Sequence, residues 1–193
     1  MNNRVIVKNI VVLTVIALVS VFLLSLVYQV TKDPIAKAAA EKQAAAYLEM
    51  YDDSAELAMA EDAAIAIEES KAMLEASFNG AYVTDAMVAR EGETVLGYAV
   101  TAVSPKGYGG AITMALRVDL TDDGAVINGM RVLEQSETAG FGNVCSEESY
   151  WGQYTDAAKT DAVIISGATY TTTAINDALQ AAMKFAVDYA DRG

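Results

Sequence analysis

A chain of 193 residues, 53% of them hydrophobic, suffices for one ordinary globular domain and is tight for two. It holds no histidine and a single cysteine, Cys145. That excludes histidine acid–base catalysis, Ser-His-Asp and Cys-His nucleophile systems, histidine metal or haem ligation, an internal disulfide and an iron–sulfur cluster ligated by this chain alone. Thirteen basic residues against 26 acidic ones leave a net charge of −13, which argues against a nucleic-acid partner gripped through its phosphates.

No charged residue lies between Lys8 and Lys32. The apolar run Ile10–Val27 is broken only by Thr14, Ser20 and Ser25. As a helix, residues 9–31 would extend about 35 Å, enough to cross a bilayer and longer than a secretory apolar core. The expectation is a retained single-pass anchor, although Ala36–Ala40 leaves a cleavage site open. Arg4 and Lys8 precede the span without acids nearby, while Lys32, Lys37 and Lys42 follow it among Asp33 and Glu41. Basic flanks are nearly balanced, so the short tail and the acidic bulk decide the reading: N-terminus cytoplasmic, domain outside. Beyond the span stand 11 basic and 26 acidic residues, a net of −15. Such a surface is soluble and does not lie flat on anionic lipid.

From Ile35 to Asn79 there is neither Gly nor Pro, and Ala, Glu, Leu and Met predominate. Asp33-Pro34 suits a helix start. Asp52-Asp53-Ser54 predicts a break into two helices, Ile35–Tyr51 and Ser54–Phe78. From Gly80 the texture changes. Tyr82–Arg90, Thr94–Val103, Ala111–Leu120 and Val126–Glu134 predict successive antiparallel strands joined by Gly-containing turns. An irregular stretch, Gln135–Gly152, follows, then a brief strand, Ala162–Ile165. Thr173–Tyr189 closes the chain as a helix, with Ile175, Leu179, Ala182, Met183 and Ala186 at helical spacing. The fold class is α+β: a tail at 1–8, a transmembrane helix at 9–31, a helical connector at 32–79, and an antiparallel sheet with packed helices at 80–193.

Three loops draw attention. In Ser166-Gly167-Ala168-Thr169-Tyr170-Thr171-Thr172-Thr173 a small-residue turn and a row of hydroxyls open a helix. Such a turn offers backbone N–H groups to an anion or phosphate. It reads equally as a plain helix cap, with Thr171–Thr173 capping and Asp177 in the first turn. Ser104-Pro105-Lys106-Gly107-Tyr108-Gly109-Gly110 and Glu137-Thr138-Ala139-Gly140-Phe141-Gly142 let a backbone approach a ligand closely. Each alone reads as a turn. Together, with aromatic residues beside the glycines, they suggest a pocket for a planar, phosphorylated ligand. Cys145 reads as a small apolar residue whose thiol is kept protonated by Glu147 and Glu148. Tyr150 and Trp151 read as packing.

Ser166-Gly167-Ala168-Thr169 resembles the Ser/Thr-Gly-Ala-Thr flavinylation motif of the FMN-binding domain family. Ser104–Gly110 is similar to that family's Ser-Pro-x-Gly-Tyr-Gly-Gly loop, and Glu137–Gly142 to its Glu-Thr-Pro-Gly-Leu-Gly loop. Ala139 stands where Pro is usual and Phe141 where Leu is usual. Val163 stands where the family has an acid, the nearest acid being Asp161. The resemblance covers essentially the whole chain. It favours the family's branch found in the Rnf ion-translocating electron-transport complex over the longer relative in the sodium-pumping NADH:quinone oxidoreductase. It implies that 80–193 is an FMN-binding domain and that FMN is carried covalently, through a phosphoester, on Thr169. Ser166, Gly167, Ala168, Tyr170, Thr171, Gly107, Tyr108, Gly109, Glu137, Thr138, Gly140, Phe141 and Gly142 would surround it. Tyr108 or Phe141 would pack against the isoalloxazine ring.

With no histidine to activate Thr169, the resemblance implies a separate Mg²⁺-dependent flavin transferase that uses FAD. It further implies an electron-relay subunit, without substrate chemistry of its own, in a membrane complex coupling ferredoxin:NAD⁺ electron transfer to ion translocation. The partners would be the other subunits of an Rnf-type complex, the transferase during maturation, and the membrane. Two other functions stay open from the residues: an anchored scaffold without flavin, and a standalone extracytoplasmic flavoprotein reductase.

Overall fold

The structure is a computed structural model that describes residues 3–51, 55–59, 62–122 and 124–192. Two compact units divide the chain, residues 1–41 and 42–193. Helix α1 runs over Asn3–Met50, so it occupies the described part of the first unit and enters the second. It contains a stretch of mean hydropathy 3.1 and is long and apolar enough to cross a membrane. The hydroxyls of Thr14, Ser20 and Thr31 each donate to the carbonyl four residues back at 2.9 Å, which hides them from an apolar surrounding.

Pro34 does not open a new helix; it lies inside α1. Proline removes one N–H bond, but strong helix formers with no glycine follow it, and the helix runs through. The expected break at Asp52-Asp53-Ser54 lies outside the described residues. Beyond it, the expected helix Ser54–Phe78 is instead strand β1, Glu56–Met59, followed by helix α2, Ala63–Ser77. In β1, Glu56 pairs with Arg90 and Met59 with Met87, and Leu57 packs beside Met87. An open sheet edge therefore overrides the helix preference of Glu-Leu-Ala-Met.

Strands β2 (Tyr82–Glu91), β3 (Thr94–Ser104), β4 (Ile112–Thr121) and β5 (Gly124–Glu134) fall within two residues of expectation. The five strands form one antiparallel sheet in the order β1-β2-β3-β4-β5. Alternation along each strand divides its side chains between two faces. Val88, Val100, Ala102, Met114, Leu116, Val118 and Ile127 meet α2 and helix α4, Thr169–Ala190, in the main core. The other face presents Ala89, Ala99 and Ala115, and these small residues let Ala46, Tyr47 and Met50 of α1, and Tyr51 just after it, lie against the sheet.

That contact is pinned by polar bonds. Tyr47 Oη and Thr101 Oγ1 share a hydrogen bond of 2.7 Å, Gln43 donates to Asp85, and Lys42 to the Leu133 carbonyl. Arg117 donates to the Met50 carbonyl at 3.2 Å from beside Asp119, satisfying one of the orphan carbonyls at the end of α1.

The segment expected as a strand, Ala162–Ile165, pairs with no strand among the described residues. The bridge forms earlier, between Ile127 and Lys159. Side chains take over the role of a neighbouring strand: Asn176 Oδ1 accepts from Ala162 N–H, Tyr154 Oη from Val163 N–H and Thr172 Oγ1 from Ile165 N–H, at 2.8–3.0 Å. A strap hung from α4 in this way delivers the chain to Ser166. The stretch Gln135–Gly152 is irregular as expected, with a 3₁₀ turn at Gly142–Ser146 and one helical turn, α3, at Glu148–Trp151.

Leu179 of α4 is fully buried in the main core. Leu179→Ala should lower the stability of the folded body by about 2–5 kcal/mol through the cavity it leaves. Urea denaturation of the full chain in detergent, followed by Trp151 fluorescence, measures this; a loss under about 1 kcal/mol would contradict the packing described.

Candidate functional site

The antiparallel order places the end of β3, the start of β4 and the end of β5 at one end of the sheet, with Ser104 opposite Ile112 and Thr113 opposite Glu134. The loops 104–110 and 135–142 leave from that end. Helix α4 begins beside them at Thr169, four residues earlier than Thr173. Gly167 takes φ +78°, a left-handed turn, and the first helical bond runs from Thr172 N–H to the Ala168 carbonyl at 3.0 Å.

The three loops meet at one carboxylate. Glu137 is buried, 9% exposed, and each of its oxygens accepts a hydrogen bond from a different segment. Gly109 N–H donates to Oε1 at 2.9 Å, and the Thr171 hydroxyl donates to Oε2. The glycines around it are placed by that carboxylate. A Cβ at Gly107 would lie 2.6 Å from Oε1, and one at Gly142 2.6 Å from Oε2 and 2.4 Å from Thr171 Oγ1. A Cβ at Gly109 would lie 1.8 Å from the Ser136 carbonyl oxygen. Gly140, at φ +77°, turns the next loop, where its N–H donates to Asn143 Oδ1 at 2.7 Å.

Above Glu137 opens a cavity of about 330 Å³, lined by Tyr108, Glu137, Thr138, Phe141, Gly142 and the run Gly167–Thr171. Its volume is at the small end for a bound organic ligand. Tyr108, Phe141 and Tyr170 are exposed at its rim, with the Tyr108 and Tyr170 rings 6.3 Å apart. Four of the residues expected at the site do not line it. Gly107 and Gly109 back onto Glu137 and Ser136, whereas Gly140 and Ser166 border a separate hollow of about 260 Å³ beyond Phe141.

A further hollow of about 690 Å³ shares Tyr108, Thr169 and Tyr170 with the first, takes in Pro105 and the expected Gly107, and adds Asn79, Lys106, Thr173 and Asp177. Sequence reasoning named none of these last four as ligand-facing. Lys106 was the variable position of its motif, and Asn79 reaches the site only because its amide donates to both oxygens of Asp177 at 3.1–3.2 Å. Asp177 is thus a buried partner in the third turn of α4 rather than a first-turn charge.

The hydroxyls of α4 are sorted by their partners. Thr171 is spent on Glu137. Thr172 donates to the Ala168 carbonyl at 3.1 Å and accepts from Ile165 N–H, so neither it nor Thr171 caps the helix. Ala168, the N-cap residue, offers no side-chain bond, which leaves the first N–H groups of α4 without an intrahelical acceptor. Thr169 is exposed, lines both hollows and makes no side-chain hydrogen bond among the described residues. An uncapped helix start, a free hydroxyl and flanking aromatic rings suit a group with a phosphate at one end and a planar ring at the other.

Cys145 is fully buried under this site. Burial pushes its thiol upward, and the acid that adds to the effect is Glu137, not Glu147 or Glu148. In the native protein at pH 8 the thiol should resist a thiol-specific colour reagent and react only once guanidinium unfolds the chain. Rapid reaction of the native protein would contradict this burial.

Comparison with known proteins matches two stretches of the chain. The FMN-binding domain family matches residues 107–184, a stretch that holds nearly all of the three loops. The RnfG N-terminal region matches residues 1–50. A similar protein, the G component of the proton-translocating ferredoxin:NAD(+) oxidoreductase complex of Clostridium ljungdahlii, is 40% identical over 81 residues. That alignment covers 42% of this chain and 41% of the relative, so the chain matches about two-fifths of the relative's length.

Proposed function

We propose, from the match of residues 107–184 to the FMN-binding domain family and of residues 1–50 to the RnfG N-terminal region, that the chain is the electron-relay subunit of an Rnf-type membrane complex, with FMN held covalently on Thr169. The observation that carries the proposal is the state of the hydroxyls at the start of α4. Thr171 and Thr172 are engaged, while Thr169 and Thr173 make no side-chain hydrogen bond among the described residues, and of those two only Thr169 stands on the cavity above Glu137 at the uncapped helix end.

A helix end stabilises an exposed anion by about 0.3–1 kcal/mol. Micromolar retention of a ligand needs about 8 kcal/mol. The helix end therefore orients the phosphate, and a covalent bond retains it. In the attachment step Thr169 Oγ forms a bond to the flavin-side phosphorus of FAD, the pyrophosphate bond breaks and AMP leaves. The hydroxyl proton must go to a base. Glu137 is the only carboxylate lining the cavity among the described residues, and both its oxygens are already acceptors. With Glu137 bonded to Gly109 and Thr171, and Asp177 in the second hollow bonded to Asn79, the base is assigned to a flavin transferase, which would also supply the Mg²⁺.

Once bound, the flavin supplies the one- and two-electron chemistry. The chain's own residues supply N–H groups for the phosphate and the rings of Tyr108 and Phe141 as apolar flanks. Within the complex, electrons from reduced ferredoxin pass through this protein towards NAD⁺ while an ion is moved. The helix at 9–31 would anchor the chain as a single pass with the folded body outside the cytoplasm. The short tail before the span and the acidic bulk beyond it support that orientation.

Co-expression with a flavin transferase, followed by denaturing electrophoresis, should yield a fluorescent band that Thr169→Ala abolishes. A wild-type chain without covalent flavin, or a Thr169→Ala chain that keeps it, would overturn the proposal.

A further inference from the structure

We infer that Glu137 is a positioning residue for flavin attachment, acting through Thr171 rather than by touching the flavin as a ligand. The inference rests on the reading that Thr169 is the acceptor. Three independent features of the structure carry it.

The first is connectivity. Glu137 is 9% exposed, and its two oxygens bind groups 28 and 34 residues away in sequence, Gly109 N–H and the Thr171 hydroxyl. No other described side chain joins the loop after β3 to the start of α4 in this way. Thr171 stands two residues after Thr169 in the first turn, so a hydrogen bond to its side chain fixes the rotation and depth of that turn. It thereby fixes where Thr169 Oγ faces.

The second is steric. The positions that close over the carboxylate, Gly107 and Gly142, have no room for a Cβ: one at Gly107 would lie 2.4 Å from the Gly110 carbonyl oxygen and 2.6 Å from Glu137 Oε1, and one at Gly142 2.4 Å from Thr171 Oγ1 and 2.6 Å from Glu137 Oε2. At Gly142 the space is filled by the carboxylate and its hydroxyl partner, and at Gly107 by backbone and carboxylate together. In that packing both oxygens of Glu137 are turned to their donors.

The third is the sorting of hydroxyls. By accepting from Thr171, which is 1% exposed, Glu137 removes the nearest competing hydroxyl from the cavity. One carboxylate therefore presents Thr169 and withholds Thr171. A hydrogen bond to a charged group is stronger than a neutral one, and losing it leaves the other partner buried and unmatched.

The test uses the full-length chain, purified without flavin and loaded by a flavin transferase at saturating FAD and Mg²⁺, with covalent FMN per chain read by in-gel fluorescence over time. Glu137→Ala and Thr171→Val should each slow the initial rate by about tenfold or more. Thr171→Ser, which restores the hydroxyl, should recover most of the rate. The double variant should load no more slowly than Glu137→Ala alone, because both substitutions break one linkage. Circular dichroism of each flavin-free variant reports whether it folds. If Glu137→Ala does not fold, Thr171→Val and Thr171→Ser decide the matter alone. Loading of Thr171→Val at the wild-type rate would overturn the inference, as would multiplicative losses in a folded double variant. Failure of the wild-type chain to load at all would instead overturn the reading of Thr169 as acceptor.

Discussion

A carboxylate taken out of water must be met by donors, and around Glu137 those donors come from segments that only the folded chain brings together. One is a backbone N–H in the loop that leaves β3; the other is a hydroxyl in the first turn of α4. Meeting both holds a loop, a second loop and a helix end within a few ångströms of one another. The cavity beside Thr169 exists because of that closure. Its floor is the carboxylate and its walls are the loops the carboxylate ties down.

The rest of the fold makes this convergence attainable. A five-stranded antiparallel meander returns alternate strand ends to one side, so the loops after β3 and β5 share an edge without any long crossover. Helix α4 crosses the sheet with Ala174, Ile175, Ala178, Leu179 and Ala182 fully buried, which sets its axis and brings its start to that edge. On the opposite face, Ala89, Ala99 and Ala115 leave room for the last turns of α1. Residues 42–51 belong to the folded body and are held in it by packing and by the bonds of Tyr47 and Arg117.

The chemistry open to such a site is narrow. The chain has no histidine, and the cavity's carboxylate, Glu137, already accepts from two donors. The cavity offers a hydroxyl, a helix end and aromatic flanks. These suit the carriage of a redox group. A chain without histidine, whose single cysteine is buried, is consistent with a protein whose redox centre is supplied from outside.

Much of this was legible in the sequence. The uncharged apolar run declared the membrane-length helix, because length and hydropathy are local properties. Strands β2 to β5 and the closing helix were set by alternation and helical spacing, which a half-buried element must display. The three loops were visible as glycine and hydroxyl clusters. What stayed hidden depended on partners distant in sequence. Glu-Leu-Ala-Met became β1 only because β2 offered an edge, and Val163 and its neighbours stayed unpaired because Tyr154, Asn176 and Thr172 took their N–H groups. Likewise, a run of hydroxyls shows that a helix start is polar, but not which hydroxyl is free. Sequence alone determined the apolar span, strands β2 to β5, the closing helix and the absence of histidine. Tertiary structure alone decided that Glu137 engages Thr171 and leaves Thr169 open, because a hydrogen bond between residues 34 positions apart has no local signature.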